Sequence, residues 1–266
     1  MLTLVLTATG NIIDKVGDEA FTFDSFGANS NATLYIANNI LKSSGDKIGS
    51  TDGIAITFHE YNALGRDSNG NNANPAAAYS ASSNYMITIK DNTIAANTEN
   101  INNDDGAEGI KFKIAQGLPS GYVNLDLAIS NNNITVTHGD GIQIDANEDA
   151  GASVIFKGDI ALNNNTITTS SGDARDEISS RIAENAAAST AQISYLVSGN
   201  TLISAGGASD AIDLLSDSTN ASSNIQFKID GNNLTNAFDK DLKLESPVAE
   251  SLGLSLLKEQ PTSQAT

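Results

Sequence analysis

The sequence predicts an all-β chain wound as a three-sided parallel β-helix, a solenoid of about seven coils, and three observations predict it. First, an Asn-x-(Ile/Leu) motif recurs at Asn11, Asn39, Asn92, Asn132, Asn165, Asn200 and Asn232. The steps between these residues are 28, 53, 40, 33, 35 and 32, centred on the length of one three-sided coil with a single outlier. Second, an acidic residue, a Gly or Ala and two apolar residues spaced by one follow the Asn motif, as in Asp52-Gly53-Ile54-Ala55-Ile56 and Asp140-Gly141-Ile142-Gln143-Ile144. Third, only 5% of residues are aromatic and Trp is absent, so stacks of Ile, Leu and Val must supply the core in place of large rings.

Each coil opens with an alternating strand ahead of the Asn motif, seen in Leu34-Tyr35-Ile36, Ile87-Thr88-Ile89, Leu125-Asp126-Leu127-Ala128-Ile129 and Ile225-Gln226-Phe227-Lys228-Ile229. Alternation with a period of two buries one face and wets the other. Met1 to Thr7 alternates in the same way and has no cationic segment, so it reads as a strand, and any export signal would lie outside this chain.

The Asn turn comes next. Placed at an equivalent turn in every coil, the amides of Asn39, Asn92, Asn132, Asn165, Asn200 and Asn232 would hydrogen-bond up and down a ladder. Their backbone also tolerates the left-handed region. The acidic motif then starts the third strand; Asp176-Glu177-Ile178 and Lys240-Asp241-Leu242 are its degenerate copies. Strands this short, joined by turns, satisfy their backbone groups by pairing with the equivalent strand one coil away. A βαβ series is excluded because the span from Asn132 to Asp140 has no room for a crossover helix.

Stacked Asn turns are a feature of right-handed parallel β-helices. On these motifs the chain resembles the pectate-lyase-like superfamily from about Asn11 to Leu244, and in character the passenger segments of bacterial surface and autotransporter-type adhesins. The resemblance implies a right-handed winding. It does not select an activity, because polysaccharide lyases and hydrolases, phage tailspikes and passenger domains share the scaffold.

The expected division is a β-helix over residues 1–244 and a C-terminal cap and tail over 245–266. The long step contains an insertion, 59–84, whose His59, Glu60, Tyr61, Arg66, Asp67 and Tyr79 are the candidate binding residues, since a projection from a rigid repeat is a usual place for contact. Residues 178–191, with Arg181, Glu184 and a run of Ala, read as a short helix or lateral bulge outside the coil. Leu252, Leu254, Leu256 and Leu257 would fold over the last coil.

With 32 acidic and 14 basic residues the chain carries a formal charge of −18, which repels nucleic acids and anionic membrane surfaces. No apolar run approaches the roughly 18 residues of a membrane span. Acidic residues at equivalent places in successive coils would lie about 4.8 Å apart and would point apart, take up protons or share a cation. Ca²⁺ on Asp52, Glu108 and Asp140 is the expected metal, and no other cofactor is expected.

Asp52-Gly53 and His138-Gly139-Asp140-Gly141 superficially resemble motifs of β-helical galacturonan hydrolases, but Arg181 is followed by Ile182 and Ala183 where those enzymes have Arg-x-Lys. Lyases need an Arg or Lys base beside bound Ca²⁺, and Arg66, Arg175 and Arg181 all read as lying off the regular strands. Ice binding requires a regular outward Thr array, which the outward Thr88, Lys111, Gln143, Asp213 and Lys228 do not form. No Cys is present, as is common in large bacterial surface proteins. The expectation is therefore an extracellular structural and adhesive segment. Its expected partners are other copies stacked head to tail, a host or neighbouring-cell surface, or a glycan. A polysaccharide-active enzyme or tailspike-like glycan binder is the alternative.

Overall fold

The computed structural model describes residues 2–17, 19–26, 29–45, 52–59, 80–98, 107–116, 120–146, 153–170, 176–183, 188–204, 210–235, 241–245 and 253–256. Its strands fall into three parallel sheets in which every third strand of the chain is a neighbour. The first sheet contains β1 (Leu2–Thr9), β4 (Ser30–Ala37), β7 (Ser80–Lys90), β10 (Ser120–Ser130), β13 (Ser153–Asn163), β16 (Thr190–Ser198), β19 (Asn224–Asp230) and β22 (Gly253–Leu256). The second contains β2 (Ile12–Val16), β5 (Ile40–Gly45), β8 (Thr93–Thr98), β11 (Asn133–Val136), β14 (Thr166–Thr169), β17 (Thr201–Ser204) and β20 (Asn233–Thr235). The third contains β3 (Phe21–Phe26), β6 (Ile54–His59), β9 (Ile110–Gln116), β12 (Ile142–Ala146), β15 (Ile178–Ile182), β18 (Ile212–Ser216) and β21 (Lys243–Glu245). The chain is a right-handed, three-sided parallel β-helix of about seven coils.

Register makes the core. Ile94, Ile134, Ile167 and Leu202 stack in the second sheet, and Ile110, Ile142, Ile178 and Ile212 stack in the third. All eight are at most 2% exposed, so each coil adds one aliphatic layer to a continuous column.

The turn from first to second sheet is built as a ladder. Asn92 donates from both its backbone N and Nδ2 to Oδ1 of Asn132, at 3.0 and 2.9 Å. Asn132 does the same to Asn165, Asn165 to Asn200, and Asn200 to Asn232. The second Nδ2 hydrogen reaches back to a carbonyl of the preceding coil, as in Asn132 to Ile89 O at 3.0 Å. Asn39 begins the buried part of the run by donating to Asn92, and accepts from Asn11.

The left-handed backbone lies one residue earlier than expected. Asn38, Asp91, Asn131 and Asn164 have φ between 55° and 57°, and Gly10, Gly199 and Gly231 take the same role. The ladder Asn supplies hydrogen bonds, and the residue before it supplies the corner.

One other expectation changes. Within the stretch 178–191, residues 178–182 are not a helix or bulge but the strand β15, in register with β12 and β18, while 184–187, Glu184 among them, lie outside the described residues. Arg181 thus sits on a regular strand. At the far end Gly253–Leu256 pairs with β19 as a further rung of the first sheet.

Candidate functional site: the outer face of the third sheet

The acidic motif places one side chain of every third-sheet strand inward and the next outward. Register aligns the outward residues into two columns. One runs Lys111, Gln143, Ser179, Asp213 and Lys243; the other runs Lys113, Asp145, Arg181, Leu215 and Glu245. Neighbours in a column are about 4.8 Å apart.

Pointing outward does not leave these groups in solvent. Asp145, Ser179 and Asp213 are 7%, 2% and 5% exposed, so the middle of the face is a polar surface held out of bulk water. Lys243 Nζ bridges Asp213 Oδ2 at 3.1 Å and Glu245 Oε1 at 3.7 Å. Gln143 Oε1 and Asp213 Oδ1 are buried acceptors with no hydrogen-bond donor. Such atoms are costly unless something donates to them. Both lie in the first column, on either side of Ser179.

Along one margin of this face runs the acidic row that the motif begins with. Asp52 Oδ1 accepts from the backbone N of Glu108 at 2.9 Å, Asp140 Oδ1 from Asp176 N at 3.0 Å, and Asp176 Oδ1 from Asp210 N at 2.8 Å. Each of these carboxylates thus caps the coil after its own, a second ladder beside that of the Asn residues. Glu108 Oε2 also holds Lys111 Nζ at 3.1 Å. Burial opposes the charge on Lys111, but Glu108 and Asp52 outweigh it and hold its pKa above the usual lysine range.

Asp176 behaves differently. Burial, against the hydrogen bond from Asp210 and reinforced by the charges of Asp213 and Asp210, raises its pKa to about 6. Next to it Glu177 is 0% exposed, and burial raises its pKa to about 7 despite a 2.8 Å hydrogen bond from Thr169 Oγ1. Of the three outcomes expected for the row, proton uptake is favoured at Asp176, beside the likewise raised Glu177.

Asp52, Glu108 and Asp140, expected as Ca²⁺ ligands, occupy this row and are engaged as described. Among the described residues no group of three or more His, Cys, Asp or Glu has a metal-holding arrangement. Of the expected binding residues, His59 ends β6, while Glu60, Tyr61, Arg66, Asp67 and Tyr79 lie outside the described residues. His138 is half-buried in the turn between β11 and β12.

Ser179, Asp145 and Arg181 were missed as site residues. Ser179 stands at the variable position of a degenerate acidic motif, whereas Asp145 and Arg181 lie one residue beyond the motif. The burial of those positions has no counterpart in the repeat pattern. No protein-family model matches the chain, and no curated protein or solved structure matches it.

Proposed function

We propose that the chain is an extracellular structural and adhesive β-helix of a bacterial surface or secreted protein, and that the outer face of the third sheet is where it grips a glycan on a host or neighbouring cell. The observation that carries this reading is the column Gln143, Ser179, Asp213. It is a rigid row of hydrogen-bonding groups at coil spacing, with two buried acceptors waiting for donors. Sugar hydroxyls are such donors, reaching Gln143 Oε1 and Asp213 Oδ1 once the atoms that shield these two from water move aside. The net charge of −18 disfavours polyanionic ligands and leaves neutral ones.

A glycan array with wild type, Gln143→Ala and Asp213→Ala tests it. Retention of neutral glycans that both substitutions abolish supports the reading, and binding that neither substitution changes contradicts it.

One observation favours the enzymatic alternative. Asp176, with a pKa of about 6 beside Arg181 and Asp213, has the protonation expected of a general acid in glycoside cleavage. Release of new reducing or unsaturated ends, lost in Asp176→Asn, would establish it; a panel of glycans left intact would leave the adhesive reading in place.

A second copy is also a proposed partner. Leu4, Leu6, Ile13, Phe21 and Phe23, inward residues of the first coil, are only partly buried, a surface that another coil stacked head to tail would cover. Light scattering that reports particles growing with concentration supports stacking, and a constant monomer mass contradicts it.

A further inference from the structure

The interior of the fifth coil is unlike the rest. Thr169 at the end of β14, Glu177 in the turn before β15 and Ser180 on β15 all turn inward, where the corresponding columns elsewhere hold mostly aliphatic or small side chains. Ser180 Oγ meets the hydroxyl of Tyr195 at 2.7 Å, and Thr169 Oγ1 donates to Glu177 Oε1. Glu177 Oε2 has no partner.

Glu177 also stands where the register puts Gly53, Gly109 and Gly141 in the earlier coils and Ala211 in the next. It is thus a full-length carboxyl at a position otherwise occupied by a hydrogen or a methyl. The next coil makes room for it: the stacked residue facing Gly53, Gly109 and Gly141 is Ile94, Ile134 and Ile167, whereas the residue after Glu177 in that column is Leu202, which has no branch at Cβ.

We propose that Glu177 is a proton-operated latch that sets how firmly β15 is held, and through it the binding face. Neutral Glu177 fits the polar layer. Once ionised, it places a charge against an unpartnered oxygen in a dry interior, and the strand that begins one residue later carries Ser179 and Arg181 on its outer side. The charged groups around it do not rescue the anion. Asp176 is adjacent, Asp140 and Asp210 flank Asp176 in the acidic row, and Arg181 points to the opposite face of the sheet. Because the carboxyl binds its proton more tightly folded than unfolded, the stability it confers is full below the unfolded glutamate pKa and is lost as pH rises through about 7.

The inference rests on the proposed binding face for its functional meaning, but its test contains no ligand, so the two fail separately. Amide hydrogen exchange of Ile178–Ile182 is measured at pH 6 and pH 8.5 and corrected for intrinsic exchange. Wild type is expected to lose protection there by about tenfold or more, the scale of one pKa unit, while the strands of the third and fourth coils do not. Glu177→Ala, which copies the next coil, and Glu177→Gln, which keeps the shape, are each expected to remove most of the pH dependence and leave only the smaller share of the adjacent Asp176. Equal pH dependence in wild type and in whichever of the two variants folds overturns the proposal, as does a wild type with none.

Discussion

At the scale of the residue, two kinds of side chain set the geometry, and each makes a measurable demand. The ladder Asn is the first. Replacing Asn132 by Ala strips the donor from Ile89 O and the acceptor from the backbone N of Asn92, both in a buried turn. At about 1–3 kcal/mol for each buried group left unpaired, Asn132→Ala should lower stability by about 2–6 kcal/mol in a denaturant titration, several times the cost of an exposed Asn such as Asn133. The small residue of the acidic motif is the second. A Cβ on Gly109 would stand 2.3 Å from Ile134 Cγ2 and 2.5 Å from Gly141 O. Glycine is thus tied to the β-branched residue in the next coil: Gly53, Gly109 and Gly141 face Ile94, Ile134 and Ile167, whereas Ala20, Glu177 and Ala211 precede Leu41, Leu202 and Leu234. Gly109→Ala should cost about 1–3 kcal/mol, and Ile134→Leu should recover part of it, since the carbonyl contact remains. A double-mutant cycle with no coupling would show the pairing to be coincidental.

At the scale of the element, the strands that were legible in the sequence are those whose inward positions are all apolar. Ile142-Gln143-Ile144 and Ile54-Ala55-Ile56 announce themselves by alternation, and their registers follow. Strand β15 does not, because Ile178-Ser179-Ser180-Arg181-Ile182 puts a serine at an inward position and is followed by an Ala-rich stretch whose composition favours a helix. What makes Ser180 an acceptable core residue is Tyr195, fifteen residues away in the next coil, and no local pattern carries that information. Ser180→Ala should therefore cost about 1–3 kcal/mol by orphaning the Tyr195 hydroxyl, and the double substitution Ser180→Ala with Tyr195→Phe should be markedly less destabilising than the single one. The candidate site was half legible for the same reason. Lys111, Gln143 and Asp213 were identified as outward from the motif, but the burial that turns this face from a solvated wall into a candidate site was not.

At the scale of the whole molecule, the account is one winding: three walls, each hydrogen-bonded coil to coil in parallel register, around a column of aliphatic layers. The repeat of asparagines and acidic motifs made the coil-on-coil stacking readable, because in a solenoid each repeat must satisfy its backbone through its neighbours. Charge acts on this scale too. At −18 the molecule repels itself, so raising monovalent salt from about 0.01 to 0.15 M, which shortens the screening length from about 30 to about 8 Å, should raise the thermal midpoint. The most direct test of the winding uses the absence of native Cys. Residues directly opposite in parallel neighbours lie within disulfide reach on one face, so oxidation should close a bridge in each of three double-cysteine variants, one per wall: Asp126 with Asp159, Thr135 with Thr168, and Lys111 with Gln143. The account predicts all three bridges in intact folded protein. Failure of the three, with bridges forming instead when either partner is moved by one residue, would contradict it.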